Sequence, residues 1–192
     1  MSNKDEQKIE GWVEIIVKDK NGKIKYHIGS SKPPTTTEPP KEHDCPNPTI
    51  LSALPAKFQD FYWRKNIITN IGLACIIRLV FAGLTEDKFG YLAIGTGTTA
   101  ESANDTALQN EVKRKTATVT QTTTTVTGDT ALLEATFSSA DTLSGTMTIS
   151  EAGIFNASSG GDLLARKVFS GIPINWDAGD TLTIRYFVQM TR

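Results

Sequence analysis

Ile67-Ile68-Thr69-Asn70-Ile71-Gly72-Leu73-Ala74-Cys75-Ile76-Ile77-Arg78-Leu79-Val80-Phe81-Ala82-Gly83 is the stretch that decides how the rest of the chain is read. Thr69 or Asn70 can accept the free amide hydrogens of a first helical turn, and Gly83 can close the last one in a left-handed conformation, which predicts a helix over 70–82. Leu73, Ile76, Ile77, Val80 and Phe81 fall at helical spacing, and Ile71, Cys75 and Leu79 widen the apolar stripe until little polar surface remains. Such a helix is expected to be buried on most sides. It is too short for a bilayer, which takes about 20 apolar residues, and Arg78 sits within it. Burial against a β-structure is the better account.

A short loop leads to Phe89-Gly90-Tyr91-Leu92-Ala93-Ile94-Gly95-Thr96-Gly97-Thr98-Thr99-Ala100. Gly95 and Gly97 with Ala100 fit the spacing Gly-x-Gly-x-x-Ala of a dinucleotide-binding turn. That motif functions when a helix opens at the turn and aims its amides at a pyrophosphate. The continuation Glu101-Ser102-Ala103-Asn104-Asp105-Thr106 is polar and has no apolar face. Gly95 and Gly97 are therefore read as a tight turn leaving a strand, and no cofactor is expected.

The 192 residues suit one domain of ordinary core size with an appendage, or two small ones. Twenty lysines and arginines against 21 acidic residues leave no electrostatic footprint for a phosphate backbone or an anionic membrane, so neither nucleic acid nor membrane is an expected partner. Cys45 and Cys75 lack a Cys-x-x-Cys partner, so zinc and redox readings are weak, while a Cys45–Cys75 disulfide stays open. His43-Asp44-Cys45 are three potential ligands in a row, but neighbours in sequence do not converge on one point without a partner elsewhere. The polar start Met1 to Lys8 does not fit a signal peptide.

Residues 1–10 read as a charged, mobile lead. Residues 11–28 read as a β-hairpin turned by Asp19-Lys20-Asn21-Gly22, because Asn-Gly tolerates positive φ at both positions. His27 is expected to pair on its polar face. Residues 29–56, with Lys32-Pro33-Pro34-Thr35-Thr36-Thr37-Glu38-Pro39-Pro40, favour extended polyproline conformation and read as a linker or arm. Residues 57–192 form the main domain. Phe58, Phe61 and Trp63 are read as burying against the core or a subunit interface in preference to stacking on bases beside Arg64 and Lys65.

Beyond Ala100 the chain is β throughout. Val112 to Thr127 is a threonine-rich run suited to a strand wetted on one or both faces, and Gly128-Asp129 turns it. Ala131, Leu133, Ala135 and Phe137 alternate with polar or outward residues, and Leu182, Ile184, Tyr186, Val188 and Met190 share a face of the last strand. Short strands with regular turns predict a mainly β fold: an antiparallel β-sandwich, jelly-roll-like, with one buried helix and an N-terminal β-hairpin.

Further motifs run collinearly through Asp105-Thr106-Ala107-Leu108-Gln109-Asn110-Glu111-Val112, Ile149-Ser150-Glu151-Ala152-Gly153-Ile154-Phe155-Asn156, Gly161-Asp162-Leu163-Leu164-Ala165-Arg166 and Gly179-Asp180-Thr181-Leu182-Thr183-Ile184. With the hairpin, the entry Asn66 to Gly72 and the Tyr91 to Ala100 turn, this order resembles structural proteins of tailed bacteriophages and tailed archaeal viruses, described as tail, tail-fibre or other virion proteins. The insertion from Ser30 to about Pro55 departs from that pattern. The resemblance implies a self-assembling, non-enzymatic virion component made in the host cytoplasm, with copies of itself and other virion proteins as partners, and it supplies no active-site residues. Trp12, Tyr26, Phe58, Phe61 and Trp63 are the candidate interface residues. A capsid-surface decoration or turret protein is one alternative. A carbohydrate-binding module recognising a host-surface glycan is another, with Trp12, Trp63 and Trp176 as stacking platforms. Glu151 with Asp162 or Asp180 would be the acid pair of a glycosidase, although carboxylates are common on β-turns.

Overall fold

The computed structural model describes residues 8–29, 66–82 and 87–191. Two antiparallel five-stranded sheets face each other. The strands are β1 (Lys8–Lys18), β2 (Ile24–Ile28), β3 (Ile67–Ile68), β4 (Tyr91–Gly95), β5 (Glu111–Thr116), β6 (Thr118–Thr122), β7 (Thr130–Phe137), β8 (Thr146–Phe155), β9 (Leu163–Asn175) and β10 (Thr181–Thr191). The first sheet runs β2-β1-β10-β7-β6 and the second β3-β9-β8-β4-β5. Alternate residues point inward: Ile15, Val17, Leu133, Ala135, Phe137, Leu182 and Ile184 from the first sheet meet Leu92, Ile94, Ile149, Ile154, Ile172 and Ile174 from the second. Tyr186 crosses the core to donate its hydroxyl hydrogen to the Ala152 carbonyl at 2.8 Å, tying β10 to β8.

The hairpin forms where the Asn-Gly signal places it. Asp19 Oδ1 accepts from the Asn21 and Lys23 amides at 2.9 and 3.0 Å, and Gly22 takes φ 81°. It is not an appendage, however. β1 starts at Lys8, inside the expected lead, and pairs with β10 in unbroken register from Lys8↔Thr191 to Lys18↔Thr181. Ile15 and Val17 are core residues, so the expected boundary between hairpin and main domain dissolves into one sheet.

The threonine-rich run is also two strands. β5 belongs to the second sheet and β6 to the first, and buried Ala117 makes the corner between them, its amide donating to the Gly90 carbonyl at 2.8 Å. The chain crosses between sheets there because a small residue fits beneath the corner.

The helix, α1 (Asn70–Val80), begins as expected: the Thr69 side chain accepts from the Gly72 amide at 3.0 Å. It closes on Phe81, and Gly83 lies outside the described residues. The expected burial does not hold. Only Gly72 and Cys75 of the helix are buried, while Leu73, Ile77, Val80 and Phe81 are 40%, 55%, 60% and 76% exposed. Strands already fill the space between the sheets, so the helix lies outside them, one flank against the start of β9. Gly72 permits that approach, because a Cβ there would stand 2.6 Å from Leu164 Cα.

Candidate functional site

Gly95 ends β4, and the loop that follows folds back over the second sheet. Ala93, Phe155 and Leu163 point away from the main core and pack with Leu108 of this loop in a second, smaller apolar cluster. Beside that cluster stands Glu151 on β8, fully buried. A lone carboxylate there would be costly, so its partners decide its role.

Glu151 Oε1 accepts from the Gly97 amide at 2.9 Å and from the Asn110 amide at 2.7 Å. Oε2 accepts from the Gln109 amide at 3.0 Å and from Arg166 Nε at 2.9 Å. Arg166, itself buried, reaches on to Asp105 Oδ2 at 2.9 Å. Burial works to lower the Arg166 guanidinium, but the Asp105 and Glu151 carboxylates outweigh it and raise it above its ordinary value. The side chain of Ser150 adds a bond to the Gly97 carbonyl at 2.9 Å.

This network explains the two glycines. Neither has positive φ among the described backbone, so turn geometry does not require them. Space does. A Cβ on Gly95 would lie 2.6 Å from Glu151 Oε1, and one on Gly97 would overlap the same oxygen. The amides of Thr98 and Thr99 both donate to Gln109 Oε1 at 2.8 Å. The N–H groups that would cradle a pyrophosphate are thus already committed to side chains of the same chain. The turn is a clasp holding the loop on the sheet.

The acids considered as a catalytic pair occupy three separate networks. Asp162, in the β8–β9 turn, pairs with Arg78 of the helix, and its amide donates to Asn156 Oδ1 at 2.7 Å. Asp180, after β9, accepts from Lys25 Nζ at 2.6 Å and from the Asn175 amide at 3.0 Å. Burial works to raise the Asp180 carboxyl, but these two bonds outweigh it and hold it below its ordinary value. His27 pairs as expected, its Nε2 lying 2.7 Å from Glu14 Oε1, while Arg185 Nη1 donates to Glu14 Oε2 at 2.8 Å. Burial of Glu14 opposes ionisation, and the His27 and Arg185 hydrogen bonds overcome it to lower the carboxyl.

Of the candidate interface residues, Trp12 is 6% exposed on β1, on the face opposite Ile15 and Val17, and Tyr26 is half-buried against the core. Neither offers a free aromatic surface. Trp176 is wholly buried in the core, which removes a second stacking platform. Phe58, Phe61 and Trp63, the proline-rich arm, His43-Asp44-Cys45 and any Cys45–Cys75 bond lie outside the described residues. Cys75 is buried under the helix, where Asn156 Nδ2 donates to its Sγ at 3.4 Å. Among the described residues no group of three His, Cys, Asp or Glu stands close enough to hold a metal ion, and no helix is long and apolar enough to cross a membrane.

Sequence reasoning passed over a second clasp, around Asp129. Its carboxylate accepts from the amides of Thr124, Thr125 and Val126 at 2.8, 2.9 and 3.0 Å, and from Gln189 Nε2 at 2.8 Å. The slight burial of Asp129 opposes ionisation, but the bonds from Val126, Thr124 and Thr125 hold its carboxyl far below the ordinary carboxylate range. The Gly128-Asp129 pair at the end of the threonine run was the available signal. No family model, curated protein or solved structure matches this chain.

Proposed function

We propose that this chain is a non-enzymatic structural protein of the virion of a tailed phage or archaeal virus, assembling as copies in the tail, baseplate or fibre. The observation that carries the reading is the pairing of a clasped sandwich with an uncharged apolar stripe that α1 exposes among the described residues. Buried Glu151, Asp180 and Glu14 and half-buried Asp162 each hold a loop, strand or helix in place, so these polar groups serve rigidity. An exposed apolar stripe on a rigid body is the property of a surface that meets another protein. The resemblance noted in the sequence supplies the virion setting. Copies would be made in the host cytoplasm and join other virion proteins there.

Electron microscopy of the purified full chain tests this reading. Ordered multi-copy assemblies are the expected result. A uniform population of single molecules that cleaves a cell-wall or capsule polymer would overturn it.

A further inference from the structure

We propose that the buried Glu151–Arg166 pair positions the start of α1 from a distance, through the loop 96–110 acting as a strap whose tip touches the helix. The strap leaves β4 at Gly95 and returns to β5 at Glu111, and those two residues are partners in the β4–β5 ladder. Its ends are therefore fixed at one place, and whatever holds the tip decides where the tip stands.

At the root, Glu151 accepts from the Gly97, Gln109 and Asn110 amides. Its Oε2 also grips one edge of the Arg166 guanidinium, with Nε 2.9 Å and Nη2 2.8 Å away. A guanidinium is a rigid planar fork, so holding that edge aims Nη1 at a fixed point, where it donates to Asp105 Oδ2 at 2.9 Å. Asp105 in turn builds the tip. The same Oδ2 accepts from the Ser102 amide at 2.9 Å, and the Asp105 amide donates to the Ser102 carbonyl at 3.1 Å. The turn so formed offers two acceptors to α1: the Ala103 carbonyl takes the Asn70 amide at 2.8 Å, and Asn104 Oδ1 takes Asn70 Nδ2 at 2.9 Å.

The first amides of a helix have no acceptor within it. Thr69 supplies one locally for Gly72, but the acceptor for the Asn70 amide comes from the strap. The cap of α1 is thus half its own and half delivered by Arg166. Asp105 and Asn104 are positioning residues for the helix. Glu101 gives the tip a separate hold, its carboxylate pairing with Lys167 and accepting from the Val168 amide at 3.3 Å, so losing one bond loosens the tip without freeing the whole loop. The strap forms no strand of its own, and lifting its tip parts no strand pair. The relay acts within one chain and stands whether or not copies assemble.

Amide hydrogen exchange of the dilute full chain, read residue by residue by NMR, tests it. The Asn70 amide reports the tip, and the Thr124 and Val126 amides, clasped by Asp129 on the other sheet, serve as controls. Glu151→Gln is expected to speed exchange about tenfold at Gly97 and Asn110 and also at Asn70, with the controls within about twofold of the parent. Asp105→Asn, which keeps an acceptor for Ser102, and Asn104→Ala, at an exposed position, are expected to speed Asn70 while leaving Gly97 within about twofold. These two variants carry the test by themselves if Glu151→Gln does not fold. An Asn70 amide unprotected in the parent, or one unmoved in Asp105→Asn and Asn104→Ala, overturns the relay. So does Glu151→Gln if it speeds Gly97 and leaves Asn70 unchanged, or if it speeds the controls equally, which would mean general loosening.

Discussion

Replacing Glu151 by alanine tests the clasp at its centre. The substitution strips the Gly97, Gln109 and Asn110 amides of their acceptor and removes one of the two carboxylates that hold buried Arg166. Breaking a buried ion pair from one side costs about 3–5 kcal/mol, because the remaining charge stays desolvated. For a domain of this size each kcal/mol moves the melting temperature by about 2–4 °C, so the expected fall is about 6–20 °C. Glu151→Gln keeps the volume and one acceptor oxygen, and should cost less, about 1–3 kcal/mol. Adding Arg166→Ala to Glu151→Ala removes the stranded cation. The double variant should therefore be at least about 1 kcal/mol more stable than the two single costs predict together. Urea denaturation followed by circular dichroism measures all of these. A cost under about 1 kcal/mol for Glu151→Ala, or strict additivity with Arg166→Ala, would refute the clasp.

Gly97→Ala drives a methyl into Glu151 Oε1 and to 2.5 Å from Gln109 Cβ, and is expected to destabilise by about 1–3 kcal/mol in the same assay, whereas turn geometry alone would make it neutral. Acid should weaken the fold in a definite window. Burial opposes ionisation of the Glu14, Asp141 and Asp180 carboxyls, but hydrogen bonds from His27 and Arg185, from Lys115 and Ser138, and from Lys25 and Asn175 overcome it and lower each from ordinary values of 4.5, 3.8 and 3.8. Their stabilisation is complete above the unfolded values and is lost as pH falls through the folded ones, so the melting temperature should hold level down to about pH 5 and decline below about pH 4. A decline beginning near pH 6 would contradict it. Asp129→Ala should free the Thr124–Val126 turn and speed amide hydrogen exchange there, leaving exchange in β8 unchanged. Gly29 packs on Val13, and the amide of Asn66 donates to the Gly11 carbonyl at 3.0 Å. With both residues beside β1, a linker of about eight residues in place of 30–55 should preserve the fold, and unfolding of that variant would contradict it.

What could be read from the sequence was local. Asn21-Gly22 fixes a hairpin within a few residues, Thr69 caps its own helix, and alternation in β7 and β10 marks their inward faces without reference to any partner. The helix's burial was not local. Its apolar stripe counts hydrophobic faces but does not say what covers them, and the interior was already filled by Ile15, Phe137, Ile154, Trp176 and their neighbours. The hairpin's place in the sheet depends on β10, at the other end of the chain. Gly95 and Gly97 could be seen as a turn, but the reason for both glycines is a carboxylate on β8 that only the folded chain brings beneath them. The threonine run reads as one strand because its composition is uniform, while the change of sheet turns on the single small residue Ala117.

The proposed self-assembly requires that this sandwich meet copies of itself. Light scattering of the purified full chain across a wide concentration range reads this out. A mass that climbs with concentration above the 20.9 kDa of one chain is expected. A mass fixed at that of one chain throughout would contradict it.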